Sequence, residues 1–281
     1  MDQARRDAPY RAGGAYPRSG AFSLPTQETV IPEALERILR SFPAVAVALS
    51  GGVDSAVLAA AAVRILGPER VRTLTAVGPI FPFEEGQWAR RTADLLGTDH
   101  REVFFDPLDL PAFLENPPDR CYYCKRELLV RFQEEAGGRV LCDGTQADDL
   151  RSDRPGLRAL RELGVRSPLA EAGLSKEEVR ALARNLGLPQ ARKPPSPCLA
   201  TRFPPGEPVR REALVRVARA EETLRKRLGL EVLRVRFVRG EARLEVPPSE
   251  MERVFARRRE ISRCLLDLGF KRVSLDLIGY F

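Results

Sequence analysis

The stretch "VALSGGVDSAVLA" (residues 47–59) decides the fold. An apolar run with the character of a buried strand ends at Leu49, Ser50-Gly51-Gly52 make a tight turn, and Asp54-Ser55 open an apolar helix. Glycine lets the backbone approach a ligand closely, and the first amides of a helix are unpaired and lie at the positive end of its dipole. Strand, Gly-rich turn and helix in that order form a cradle for phosphate, with the Ser50 and Ser55 hydroxyls as further donors. The competing reading is an ordinary strand-to-helix turn capped by Ser and Asp. The motif is not G-x-x-x-x-G-K-[ST], because no lysine stands at the helix start.

Outward from this turn, helical and strand patterns alternate. "ETVIPEALERILRSF" reads as a helix before the strand at 44–49, and after the turn come a helix "DSAVLAAAAVRIL", a strand "VRTLTAV" and a helix "EEGQWARRTADLLG". A strand "HREVFF", a helix to about residue 135, a strand "RVLCDG" and a helix near "KEEVRALARNLG" follow. This order predicts an α/β fold with a doubly wound parallel sheet. The Pro-rich loop "PQARKPPSPCLATRFPPGEP" marks a boundary. Beyond it a helix at 209–228, strands "EVLRVRFV" and "ARLEVP", a helix at 249–268 and a strand "KRVSLDLIGY" predict a second, smaller α+β domain. Residues 1–27, rich in Gly, Pro, Arg and Ser without periodicity, read as a flexible extension, which leaves domains at 28–205 and 206–281.

The net charge of +7 is placed unevenly: from residue 209 onward 18 Lys and Arg face 11 Asp and Glu, and the preceding residues sum to zero. A basic second domain calls for an anionic partner, a phosphorylated small molecule or a nucleic acid. No apolar run is long enough for a membrane span and the N-terminus lacks a signal-peptide core, so a cytoplasmic protein is expected.

Five cysteines, 121, 124, 142, 198 and 264, are an odd set for such a compartment. Cys142 and Cys264 sit on a strand and an amphipathic helix and read as packing residues. Cys121 and Cys124, in "NPPDRCYYCK", are spaced C-x-x-C at a helix start that Asn116 or Asp119 can cap. Such spacing favours metal over redox chemistry, but His100 is the single histidine, so a four-ligand zinc site would need it or an unrelated cysteine. "DGTQADD" follows a strand, its Gly144 permits close approach, and Asp148 and Asp149 can hold magnesium or organise a helix start. Arg234 and Arg236, two apart on a strand, share a face and can clamp a phosphate or be simply solvated.

Ser50-Gly51-Gly52-Val53-Asp54-Ser55 resembles the SGGxDS motif of the PP-loop ATP pyrophosphatases. Together with "NPPDRCYYCK", "CDGTQADDLRSDRPGLRAL", "GVRSPLAEAGLSKEEVRALARNLGLP" and "KPPSPCLATR", it is similar to the LarE family, the sulfur-inserting enzymes of nickel-pincer cofactor assembly for lactate racemase. The likeness spans about residues 28–279. It implies ATP and magnesium, bound by Ser50, Gly51, Gly52, Asp54, Ser55, Gly144 and Asp148, and cleavage of ATP to AMP and pyrophosphate to adenylate a carboxylate, with Asp54 and Cys198 as catalytic residues.

The resemblance also distinguishes two kinds of family member. In one, a lone cysteine of the C-L-A-[ST]-R motif gives up its own sulfur; in the other, three cysteines hold a 4Fe-4S cluster with a replaceable sulfide. Cys198 in C-L-A-T-R with Cys121 and Cys124 matches the second kind, because three thiolates leave one iron open. By the same resemblance Arg202, Arg234, Arg236 and Arg243 receive the phosphate of a pyridinium mononucleotide substrate, and Glu222 and Glu245 are weak candidates for a second metal. A sulfide donor and a homo-oligomer, a hexamer as in family members, are further implied partners. The alternatives are a tRNA thiolase of the same superfamily, against which stands the lack of an aromatic platform or RNA-binding motif, and a non-catalytic nucleotide-binding protein with a structural metal.

Overall fold

A computed structural model describes residues 29–151, 154–230 and 232–280. The expected N-terminal extension lies outside them. By contacts the described residues form two units: residues 29–105 together with Lys125–Ser196, and Asp106–Cys124 together with residues 197–280. The segment that carries Cys121 and Cys124 therefore groups with the C-terminal part of the chain.

The first unit contains β1 (Val45–Ala48), β2 (Val71–Val77), β3 (Asp99–Phe104) and β4 (Val140–Cys142), all parallel in the order β3-β2-β1-β4. The sheet is wound by α1 (Glu33–Arg40), α2 (Val53–Leu66) and α3 (Phe83–Leu96). Ten of the fourteen α2 residues are buried, which explains why this helix is apolar all round instead of striped. Its alanines keep it thin enough to pack between the sheet and neighbouring helices. The chain proceeds from β1 outward to β2 and β3, then returns to β4 on the other side of β1. Such a reversal opens a crevice at the carboxyl ends of β1 and β4, where α/β proteins bind ligands.

Other elements carry no periodicity that the sequence displays. α4 (Pro111–Leu114), α6 (Pro155–Glu162) and α7 (Pro168–Glu171) each start on a proline, whose fixed φ suits a first helical turn. α5 (Arg120–Ala136) carries the thiol pair, and α8 (Lys176–Asn185) begins with a capping box between Ser175 and Glu178.

In the second unit β5 (Arg234–Val238) and β6 (Glu241–Glu245) form an antiparallel hairpin, and β7 (Val273–Leu275) adds parallel to β6. The hairpin turn puts Arg239 at φ 51° and Gly240 at φ 89°, the left-handed pair of a two-residue type I′ turn. Val235, Phe237, Ala242 and Leu244 face inward and are buried along with Leu214, Val217 and Leu224 of α9 (Arg211–Leu228). The helix expected over 249–268 is two, α10 (Met251–Ala256) and α11 (Arg258–Asp267), broken at Arg257, whose guanidinium holds the Arg227 carbonyl at 2.8 Å and the Glu260 carboxylate. The final strand stops at Leu275 because Asp276 folds its carboxylate onto the Ile278 amide at 3.0 Å, an Asx turn.

Candidate functional site

The turn after β1 is closed by its own hydroxyls. Ser50 Oγ and Ser55 Oγ lie 3.1 Å apart, the Ser50 amide donates to Ser55 Oγ at 3.2 Å, and the Gly52 amide donates to Ser50 Oγ at 3.3 Å. Gly52 caps α2 without a side-chain hydrogen bond, so the first amides of the helix keep their capacity for an anion. Gly51 has φ 84°, and a Cβ there would stand 2.2 Å from the Glu85 carbonyl oxygen. Gly144, just beyond β4, is equally constrained: a Cβ would meet the Ser55 amide nitrogen at 2.7 Å. Two strand ends and two helix starts, those of α2 and α3, are thus packed together through glycines.

Asp54 Oδ1 is buried with no hydrogen-bond partner among the described residues. Burial, and then the negative charge of Asp149, push its carboxyl above the usual carboxylate value. A carboxylate left without a hydrogen-bond partner beside a second carboxylate and a phosphate cradle is the kind of oxygen donor a magnesium ion takes. Asp148 accepts the Lys176 amide at 2.8 Å at the start of α8. Asp149 also holds Arg154 at 2.6 Å.

Lys193 reaches the turn from 142 residues away. Its Nζ donates to the Gly51 carbonyl at 2.9 Å and to Glu85 Oε1 at 2.5 Å.

The second unit contains Cys121, Cys124 and Cys198. Cys121 is exposed on the first turn of α5, Cys124 lies one turn further, and Cys198 precedes the short 3₁₀ turn Leu199–Arg202. Burial, then the charges of Cys198 and Cys121, raise the Cys124 thiol well above its ordinary value. Cys198 is also raised by burial, against the opposing pull of Arg120 and of the Thr201 and Ala200 amides. Arg120 is itself buried and donates to the Ala200 carbonyl at 2.9 Å, which ties the two thiol-bearing segments to one cation. Asn116 is no cap here: it has φ 54° and its amide donates to the Pro204 and Glu207 carbonyls at 2.7 and 2.8 Å. Among the described residues, no three His, Cys, Asp or Glu side chains converge as a site for a single metal ion. A cubane cluster asks for less convergence, because its thiolate ligands are spaced across the width of the cluster.

Cys142 is buried and its thiol is pushed up to about 12, as suits a packing residue. Cys264 is buried too.

The arginines divide sharply. Arg202 is 2% exposed and grips Glu221 at 2.7 and 2.9 Å, the Pro197 carbonyl at 3.0 Å and the Cys198 carbonyl at 3.3 Å. It fixes the backbone at Cys198 and offers no face to a ligand. Arg236 donates to both oxygens of Glu245 at 2.9 Å and to the Thr201 carbonyl at 2.6 Å. Arg243 shares Glu245 at 3.4 Å and reaches Asp276 at 3.4 Å. Among the described residues, Arg234 alone of the four has no carboxylate bonded to it: its Nη2 donates to the Tyr280 hydroxyl at 2.7 Å while the guanidinium lies 4.0 Å from the centroid of the same ring. Burial lowers its proton affinity. Arg234, Arg236 and Arg243 share one sheet face with the buried Glu245 and with Glu241. Glu222 lies apart, exposed and paired with Lys226 at 2.6 Å, so the structure does not bring it to Glu245 as a metal pair.

Three contributors escape a reading of the sequence: Lys193, Arg120 and Tyr280. The basic residues flanking the C-x-x-C in "RCYYCK" are the one available signal, and neither Lys193 nor Tyr280 gives any, since each acts at a distance in sequence.

Residues 27–124 match the asparagine synthase family profile. The chain is 35% identical over 261 residues to pyridinium-3,5-bisthiocarboxylic acid mononucleotide synthase of Lactiplantibacillus plantarum, covering 92% of this chain and 93% of that protein. The chain belongs to the LarE family. An uncharacterized protein of Synechocystis sp. is 43% identical over 239 residues, 83% of this chain and 88% of its own. The NH(3)-dependent NAD(+) synthetase of Methanoregula boonei is 36% identical over 78 residues, 26% of this chain and 32% of its own. This LarE protein is an ATP-dependent, adenylating sulfurtransferase, and the turn at Ser50–Ser55 lies in the part that matches the asparagine synthase family. Among the described residues no helix is long and apolar enough to cross a membrane.

Proposed function

We propose that this LarE protein converts the carboxylates of pyridinium-3,5-biscarboxylic acid mononucleotide to thiocarboxylates for nickel-pincer cofactor assembly. The observation that carries this reading is Arg234, a half-buried guanidinium bonded to no carboxylate among the described residues, in the same unit as the three thiols. A nucleotide monophosphate is a ligand that such a cation recognises by charge-assisted hydrogen bonds. The Tyr280 hydroxyl is the neutral partner that such a phosphate exchanges for a charged one.

The chemistry proceeds in two transfers. A carboxylate oxygen of the substrate attacks the α phosphorus of ATP, and the bond to the β,γ phosphates breaks to release pyrophosphate. The amides at the start of α2 and the hydroxyls of Ser50 and Ser55 bind the phosphates through this step, and Asp54 and Asp149 would hold a magnesium ion that would supply charge neutralisation. Hydrosulfide then attacks the activated carbonyl carbon and AMP leaves with the bonding electron pair, giving the thiocarboxylate. Cys121, Cys124 and Cys198 would hold a 4Fe-4S cluster, which when bound would supply the sulfide replenished by an external donor. Arg120 and the Thr201 and Ala200 amides favour the thiolate forms that such ligation requires. A cytoplasmic homo-oligomer completes the proposal.

Iron and acid-labile sulfide per chain, measured after anaerobic purification, test the reading together with turnovers on the biscarboxylate substrate. About four of each, lost in Cys121→Ala, with many turnovers per chain, is the expected result. No iron after reconstitution and a single turnover would make Cys198 a sacrificial donor.

A further inference from the structure

The residues Ser50–Ser55 present a polyanion with helix amides, hydroxyls and one carboxylate, Asp54, but no cation of their own. Nucleotide-binding turns that end in G-K-[ST] carry a lysine for the outer phosphates at that place. Here Lys193 is hydrogen-bonded to the turn itself, at the Gly51 carbonyl, with side-chain exposure of only 11%. We infer that Lys193 is the phosphate-site cation of this turn, engaging the β,γ phosphates of ATP, and that Glu85 is the partner that positions it for them.

Several features point the same way. The ammonium has three donors, of which the Gly51 carbonyl and Glu85 Oε1 take two. Glu85 belongs to the α3 start that packs on the turn so closely that Gly51 admits no Cβ, which fixes the Glu85 backbone against the turn. The Trp88 ring centroid lies 5.7 Å from Nζ, a cation–π contact on one side of the ammonium. Burial lowers the ammonium's proton affinity while Glu85 raises it, as expected for a cation kept from water and stabilised by one partner. Arg180 and Lys176 also act on Asp54, but among the described residues only Lys193 of these three cations is hydrogen-bonded to a residue of the turn. An arriving pyrophosphate group presents more negative charge than Glu85, and a short lysine swing transfers the ammonium to it without unfolding the turn.

This inference rests on the use of ATP and is independent of the acceptor and of the sulfur source. Removing one partner of a buried pair strands the other, so the decisive variant replaces both, Glu85→Gln with Lys193→Met, beside Glu85→Gln alone. Calorimetric titration with ATP, inorganic pyrophosphate and adenosine is run on the full chain with magnesium. The double variant is expected to bind ATP and pyrophosphate at least 10-fold more weakly and adenosine within about 2-fold of the wild type, whereas Glu85→Gln binds pyrophosphate as well as the wild type or better. Unchanged pyrophosphate affinity in the double variant, or an equal loss in Glu85→Gln, overturns the inference by reducing the pair to a structural pin. A wild-type protein that bound neither ATP nor pyrophosphate would overturn the ATP reading and this inference with it.

Discussion

The phosphate turn and the thiol-arginine region solve the problem of holding a reactive group in opposite ways. The turn is six consecutive residues whose hydroxyls and amides bond one another, so its geometry is largely local. The other region draws on segments 106–124 and 197–280, joined by buried guanidiniums at Arg120 and Arg202. A local turn depends on backbone conformation, whereas an assembled region depends on ion pairs that have been taken out of water. Damage to the first should therefore appear in nucleotide chemistry, and damage to the second in stability.

The largest expected effect breaks the assembled region. Arg202→Met leaves Glu221 buried with Arg225 and the Val235 amide as its remaining partners, and loss of one member of such a pair costs about 3–5 kcal/mol. The melting temperature should drop by about 10 °C, and Glu221→Gln added to Arg202→Met should restore part of it in a thermal scan. An unaltered melting temperature would mean that the pair is not what joins these segments.

Next comes the turn. Asp54→Asn should slow ATP-dependent pyrophosphate release by on the order of 100-fold, since its metal would lose a charged ligand. The same change should stabilise the metal-free protein at neutral pH. The sign follows from the raised folded-state value: an ionised Asp54 opposes folding, that penalty is absent where the group is protonated in both states, and it appears as pH rises above the ordinary carboxylate range and is complete beyond the folded value. The gain in melting temperature should therefore vanish in acid, below the ordinary carboxylate range.

Within the arginine face the comparison can be sharpened further. Arg234→Ala should raise KM for a phosphorylated substrate by about 10–100-fold with little loss of stability, because a hydrogen bond to a charged group contributes about 1.5–3 kcal/mol. Arg236→Ala should do the reverse, since it deprives the buried Glu245 of the Nε–H that bridges both its oxygens. Equal effects of the two on KM would remove the distinction drawn from their carboxylates.

The smallest effect is one of pH. With Cys124 and Cys198 raised by burial, the thiolates needed for ligation are scarce at neutral pH and become more abundant as pH rises. Anaerobic iron loading should be several-fold faster at a pH of about 8.5 than at about 6.5, followed by absorbance. Loading that is flat across this range would place the thiols in a more polar setting than the buried one described.

Much of the fold is legible because its periodicities are strong. "VRTLTAV" is the strand Val71–Val77, residue for residue, and the apolar α2 reads as a buried helix from its composition. The parallel alternation points to the α/β class. Short helices that open on prolines, at Pro111, Pro155 and Pro168, are invisible to the same reading because one or two turns are too brief to display a period. The break at Arg257 escapes for a related reason: a side chain bonding a distant carbonyl leaves no mark on hydropathy.

The same boundary separates what the sequence alone determined from what tertiary structure decided. Contiguous information, the turn at Ser50–Ser55 and the facing of Arg234 and Arg236 on one strand, follows from backbone geometry and the two-residue period of a strand. Which arginine is open to a ligand is decided by whether a carboxylate from elsewhere reaches it: Glu221 takes Arg202, Glu245 takes Arg236, and Arg234 meets the Tyr280 hydroxyl instead. The cation at the phosphate turn is likewise set by a contact across 142 residues. Spacing along the chain fixes direction, but the energy of a charge is fixed by what surrounds it, and only folding brings those surroundings together.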